Sequence, residues 1–157
     1  MKELKFKKLD YVITKEDGTT ERVISEGKLP TRATAGDAGL DLYSTRITQE
    51  VDNSGKLVLV YHTDIAVEIP QGYFGALVPR SSIAEKGLVI QTSIIDPDYT
   101  GEIHLIITNC SNNVIKIEKN QRVCSLVVYN VLNVRLDVVY DFEDTERGNN
   151  GLGSSGK

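Results

Sequence analysis

Four stretches of the chain concentrate side chains that could do chemistry. In Ala35-Gly36-Asp37-Ala38-Gly39-Leu40-Asp41-Leu42, two glycines let the backbone pass close to another group, and Asp41 sits between two leucines. An acid fixed between buried neighbours can orient a metal's water; the plain alternative is a glycine-rich turn entering a strand. In Pro79-Arg80-Ser81-Ser82 a strand end feeds a helix start, so free N–H groups, two hydroxyls and a guanidinium converge as a seat for phosphate. An ordinary serine cap with an exposed arginine reads the same way. The third stretch, Ile95-Asp96-Pro97-Asp98-Tyr99-Thr100-Gly101, is taken alone a type I turn with Asp first and Pro second. The fourth is Arg147-Gly148-Asn149-Asn150-Gly151-Leu152-Gly153-Ser154-Ser155-Gly156-Lys157. Its last seven residues match the front of a P-loop but lack the following Ser or Thr and the helix such a loop needs, so a Walker-type nucleotidase is not expected. An arginine among so many glycines and hydroxyls suggests instead an arm that folds over an anion.

These groups must be held by strands. The hydrophobic period is close to two, or takes short apolar runs, with turn residues at fairly regular intervals. Strands are expected at residues 4–9, 11–14, 22–24, 57–61, 65–69, 74–78, 103–108, 114–117, 123–131 and 136–140. Asp17-Gly18 is a hairpin signal because a tight turn needs positive φ there, and Asn53-Ser54-Gly55 is another turn. Only one segment looks helical, with Ser82 and Glu85 as a capping box and Gly87 as the stop. The expected fold is all-β, a jelly-roll β-sandwich with one short helix. Residues 1–140 would form that domain and residues 141–157, poor in apolar side chains, a flexible C-terminal arm.

Composition narrows the function. The chain has 157 residues, 40% hydrophobic and 25% charged, which suits one folded domain and rules out bulk disorder. A net charge of -4, from 22 acidic and 18 basic side chains, supplies no general attraction for nucleic acid or anionic lipid. Any phosphate must be gripped locally. Cys110 and Cys124 are too few for a disulfide framework, and with only His62 and His104 no zinc-type spacing can be written. With no leader pattern and no membrane-length apolar stretch, a cytoplasmic, reducing compartment is expected.

Taken in order, residues 35–42, 79–82, 95–101, 121–126 and the terminal arm resemble the five motifs of the trimeric dUTPase family, the deoxyuridine triphosphate pyrophosphatases; the resemblance spans residues 30–156. It implies a homotrimer whose active sites are built from three chains, each closed by a neighbour's arm. It further implies that dUTP is cleaved to dUMP and pyrophosphate. By this resemblance Asp96 activates the water that attacks the α-phosphorus in line, and Asp41 holds the hydration shell of Mg2+ through water. Tyr99 lies against the deoxyribose and leaves no space for a 2'-hydroxyl. The strand pair leading into Asp96, with Ile95 and with Ile90 and Gln91 near the usual uracil-contacting Asn, reads the base. Arg80, Ser81 and Ser82 hold phosphates from one side, and Arg147, Gly153 and Ser154 of the arm complete the contacts.

The chain departs from the family pattern in places. Leu152 stands where a Phe usually stacks on uracil, Ser93 replaces a glycine before Asp96, and Ser125 occupies a phosphate-side Gln position. Residues 10–27 look like an inserted hairpin. Two competing readings remain. A dCTP deaminase shares the fold and the Arg-Ser-Ser and Ile-Asp-Pro elements, but its proton-shuttling glutamate would fall at Ile106. A dUTPase fold retained as a binding module for a regulatory protein partner would draw on the extra hairpin, while Asp41, Asp96, Tyr99 and Arg147 speak for catalysis.

Overall fold

The structure is a computed structural model that describes residues 3–51, 53, 55, 57–91, 94–146 and 148. Its elements are β1 (Lys5–Lys8), β2 (Tyr11–Thr14), β3 (Thr20–Val23), β4 (Gly39–Tyr43), β5 (Arg46–Val51), β6 (Leu57–Glu68), β7 (Tyr73–Pro79), α1 (Ser81–Ala84), β8 (Leu88–Ile90), β9 (Ile94–Ile95), β10 (Glu102–Asn109) and β11 (Arg122–Asn130). All strand pairs are antiparallel. One sheet runs β1-β6-β10-β8, with β5 and β1 sharing the second edge of the long β6; the other runs β4-β11-β7-β9, and β2-β3 stand apart as a hairpin. The two open sheets face each other as a jelly-roll sandwich, as the sequence pattern implies.

Alternation builds the core. Along β10, Ile103, Leu105 and Ile107 turn inward while His104 turns out, as period two requires. They meet Leu77, Ile95, Val123 and Leu126 of the opposite sheet in one cluster with Leu42, Tyr61 and Ile83. On β11 both Val123 and Cys124 are buried because the register slips between Arg122 and Cys124. The Asp17-Gly18 turn forms as expected, with Gly18 at φ +79° and the Asp17 carboxylate accepting the Thr19 N–H and hydroxyl. Gly55, at φ +81°, lies in the turn that returns β5 onto β6.

Several elements differ from expectation. The two strands expected at 57–61 and 65–69 are one, β6, because its polar centre is buried instead of breaking it. His62, Thr63 and Asp64 are all buried, and Thr63 to Ile65 face the single residue Ile103 across a bulge. The strands β4, β5, β8 and β9 were hidden by glycine, by an edge position or by brevity. The Ser82–Glu85 capping box does not form: Arg80, extended at ψ 148°, is the N-cap residue, and α1 closes one turn before Gly87 at φ +77°. Residues 114–117 are irregular. So are residues 136–140, where Leu136, Val138 and Tyr140 alternate as a strand would yet are 90%, 95% and 110% exposed. A strand needs an edge to pair with, and residues 132–142 have found none among the described residues of their own chain.

Candidate active site

The first group of chemistry-bearing residues assembles around β11. Antiparallel pairing sets Ser125 opposite Asp41 on one side and opposite Val78 on the other, so β4 and the end of β7 flank the same strand. Thr31 bridges the outer edge of β4 through Asp41, the Asp41 N–H donating to the Thr31 carbonyl at 2.7 Å. Gly39 makes the approach possible: a Cβ there would lie 2.8 Å from Ser125 Cβ. Gly36, the other glycine of that stretch, meets nothing within 4 Å, so only one of the two serves a close contact.

The Asp41 carboxylate is buried, with 5% of the residue exposed. Its Oδ1 accepts the Ser125 hydroxyl at 2.9 Å, and its Oδ2 accepts Arg122 Nη1 at 3.1 Å and pairs with the Arg80 guanidinium. One carboxylate thereby fixes two guanidiniums, whose remaining N–H donors, without a partner among the described residues, can meet an anion. Ser81 and Ser82 follow directly, exposed, at a helix start whose first N–H groups have no intrahelical partner. Arg122 carried no role in the sequence reading; its place within the matching stretch 121–126 was the available signal.

No group of three or more His, Cys, Asp or Glu side chains able to hold a metal exists among the described residues. A protein cage for a cation is therefore not built here. Among the described residues Asp41 Oδ1 accepts one hydrogen bond, from Ser125, which leaves room for a second. That suits Mg2+, which keeps several waters and is carried largely by substrate phosphates.

The second group lies at the opposite end of β7. Here the sequence's turn and its chemistry coexist, since the Tyr99 N–H donates to the Asp96 carbonyl at 3.1 Å. Asp96, Tyr99 and Glu102 line a cavity of about 200 Å³ with Leu77, Ile95 and His104. Asp96 is exposed, and among the described residues its carboxylate accepts no hydrogen bond from the protein. The contrast with Asp41 is chemical: one acid holds two arginines and a serine hydroxyl, the other is open to a water molecule. Tyr99 is pinned, its hydroxyl donating to the Glu102 carbonyl at 2.7 Å and its ring lying on Gly101, where a Cβ would sit 2.8 Å from Tyr99 Cζ.

Ile95 is buried in the core, and Ile90 packs partly buried against it. Gln91 is tied to β10, its N–H donating to the Ile106 carbonyl at 2.8 Å and its Nε2 to Thr108 Oγ1 at 2.5 Å. Among the described residues, the two strands leading toward Asp96 bond to different sheets. The short strand before Asp96, β9, bonds to β7, whereas β8 bonds to β10 of the other sheet. The chain crosses between sheets at this point, and Ser93 lies outside the described residues. Arg147, Leu152, Gly153 and Ser154 of the expected arm also lie outside them.

The two groups do not meet on one chain. Ile95 pairs with Gly75, so the antiparallel β9 carries Asp96 toward Phe74, whereas Arg80 follows the far end of β7. Six residues of extended strand separate these points, roughly 20 Å at about 3.3 Å per residue.

A cluster that the sequence reading missed lies behind the Tyr99 loop. Glu102 Oε1 accepts the Asp64 N–H at 3.0 Å, while its Oε2 accepts Arg46 Nη2 at 3.1 Å and lies 3.0 Å from His62 Nδ1. Burial pushes the Glu102 carboxyl up. The His62 bond, the Asp64 N–H and the nearby charges of His62 and Arg46 outweigh it and hold the group below its ordinary value. Only tertiary structure brings these four together.

The dUTPase family model matches residues 25–156. A deoxyuridine 5'-triphosphate nucleotidohydrolase of Alkaliphilus metalliredigens is 37% identical over 139 residues, covering 87% of this chain and 94% of its own. Among solved structures, the Staphylococcus bacteriophage 80alpha dUTPase with dUPNHPP superposes with a TM-score of 0.71 at 26% identity, covering 100% of both chains; it is described in work on phage dUTPases that control transfer of virulence genes. A mutant dUTPase of the S. aureus phage phi11, described as showing the coordination of a structural Mg(II) ion, has a TM-score of 0.64 at 26% identity and covers 91% of this chain and 100% of its own. With the family model matching across most of its length and a relative 37% identical over 139 residues, this chain belongs to the dUTPase family.

Proposed function

We propose that the protein hydrolyses dUTP to dUMP and pyrophosphate as a homotrimer with composite active sites. The observation that carries this reading is the separation of the two acid groups: Asp96 is open beside Tyr99 at one end of β7, while Asp41 is engaged by Arg80, Arg122 and Ser125 at the other. A base and a phosphate grip roughly 20 Å apart can act on one nucleotide only if different copies supply them. The exposed, alternating apolar residues 132–142 supply a means of assembly, because a strand without an edge on its own chain can pair with a neighbour's.

In this mechanism Asp96 accepts a proton from water as its oxygen bonds to the α-phosphorus. The bond from that phosphorus to the bridging oxygen of the β-phosphate breaks in line, and pyrophosphate leaves. Arg80, Ser81 and Ser82 of the other group, with Arg122 beside them, hold the phosphates. Ser125 acts one step back, keeping Asp41 oriented toward both arginines. Tyr99 closes the space a 2'-hydroxyl would need, and main-chain groups near Ile90, Gln91 and Ile95 face the uracil. Arg147, Leu152, Gly153 and Ser154 complete the enclosure from an arm. Asp41 would hold Mg2+ through water, and the ion would supply charge neutralisation on the phosphates. The expected compartment is the cytoplasm, where Cys110 and Cys124 stay thiols. Position 106 holds Ile106, whose carbonyl accepts the Gln91 N–H, so nothing there can shuttle the proton a deaminase needs.

A pyrophosphate-release assay on dUTP, with dCTP, dTTP and UTP as controls, tests this reading, together with the mass of the protein in solution. Turnover of dUTP by a trimer is expected. Deaminated product from dCTP, turnover of no nucleotide, or full activity from a monomer would each overturn it.

A further inference from the structure

The inserted hairpin is anchored on the bulge of β6, on the far side of the residue that holds Tyr99. The Leu9 N–H donates to the Asp64 carbonyl at 2.9 Å, and the Ser25 hydroxyl donates to the same oxygen at 3.4 Å. Gly27 lies so close that a Cβ would be 2.9 Å from the Thr63 carbonyl. Asp64 itself is in the left-handed region, at φ +53°, a conformation that a non-glycine residue keeps only when its surroundings over-determine it. The surroundings do so. Its carboxylate, 2% exposed, accepts Arg46 Nε at 3.1 Å, and its N–H goes to Glu102. Arg46 is in turn covered by the Tyr11 ring of the hairpin, 4.3 Å from the guanidinium carbon to the ring centre.

Glu102 is where this chain of contacts reaches the cavity. It stands at the start of β10, directly before the register shift, where the ladder of backbone bonds is locally disrupted. Its side chain restores what the ladder lacks through Asp64, Arg46 and His62, and the other ring nitrogen of His62, Nε2, lies 2.8 Å from the Thr48 hydroxyl. The carbonyl of this same residue accepts the Tyr99 hydroxyl.

We propose that Glu102 is a positioning residue for sugar discrimination, and that the hairpin of residues 10–27 acts on the same property by bracing Arg46 and Asp64 against it. The carboxylate fixes the bulge, the bulge fixes the Glu102 carbonyl, and that carbonyl fixes the ring that stands against the sugar. The proposal rests on the reading of Tyr99 as the residue that excludes a 2'-hydroxyl.

The experiment compares kcat/KM for dUTP and UTP in the full-length protein, its E102Q, Y99F and Y11A variants, and the E102Q/Y99F double variant. E102Q should narrow the preference for dUTP over UTP by about fivefold, the scale of one neutral hydrogen bond. Y99F should narrow it similarly, and the double variant no further than either alone, because both act through one bond. Y11A, which alters only the hairpin, should narrow it by about two- to threefold, the scale of an exposed cation–π contact; it decides the matter if E102Q fails to fold. An equal loss for both nucleotides in E102Q, a double-variant effect equal to the product of the single ones, or an unaltered preference in Y11A would overturn the proposal. Absence of dUTP turnover or of any preference in the unaltered protein would instead sink the reading of Tyr99 on which it stands.

Discussion

Asp41→Asn separates an anchoring role from one exercised through a metal alone. The substitution keeps the shape of the side chain and leaves Oδ1 to accept the Ser125 hydroxyl. At Oδ2 it removes the charge that Arg80 and Arg122 share and turns an amide N–H₂ donor toward two guanidiniums, which carry only donors. Breaking a fully buried ion pair costs about 3–5 kcal/mol. The Arg80 and Arg122 side chains are 25% and 44% exposed, so they can recover hydration, and the expected loss falls to roughly 2 kcal/mol. For a domain of this size that corresponds to a melting temperature lower by about 4–8 °C. The assay is denaturation of both proteins in EDTA, at matched protein concentration so that assembly does not differ. Stability within about 0.5 kcal/mol of the unaltered protein would refute the anchoring argument, since the variant would then have removed nothing the fold relies on.

Three further outcomes follow from the same geometry. Gly39→Ala would drive a Cβ into Ser125 Cβ, which sits mid-strand and cannot swing aside; β4 should lift from β11, with a loss of about 1–3 kcal/mol and a raised KM for dUTP, read by denaturation and steady-state kinetics. The Glu102 carboxyl is held below its ordinary 4.5, so its contribution is present above that pH and is lost as pH falls through the folded value; urea titrations between about pH 6 and pH 3 should show a shallower acid limb for Glu102→Gln. The Cys124 side chain is buried with its thiol pushed up to about 12 while Cys110 is exposed, so a thiol reagent should label only Cys110 in the native protein and both after unfolding.

Much of this molecule is legible in its sequence where local chemistry and final structure agree. Gly18 must turn, and it does; Ile103, Leu105 and Ile107 recur at every second position of an apolar-rich run, and they face the core. The acids at 41 and 96 and the Arg80 junction each have a plain local reading, and only the order of the stretches together points to a site. What escaped the sequence depends on distant partners. His62-Thr63-Asp64 reads as a strand break because three polar residues in a row do not ordinarily bury; they bury here because Arg46 and Thr48 of β5 and Glu102 of β10 meet them from distant parts of the chain. Arg122 looks like a surface residue of a strand until the register brings it to Asp41. Residues 136–140 carry a sound strand pattern, and on a single chain they find no edge to pair with.

The assignment of Asp96 as the group that takes the water's proton is tested most directly by Asp96→Asn. Equilibrium binding of a non-hydrolysable dUTP analogue and single-turnover pyrophosphate release are measured on the same preparation. The amide keeps the side chain's shape and loses the proton acceptor, so binding should stay within about threefold while the chemical step slows by about 10²–10⁴-fold. A variant that releases pyrophosphate at close to the unaltered rate would contradict the assignment.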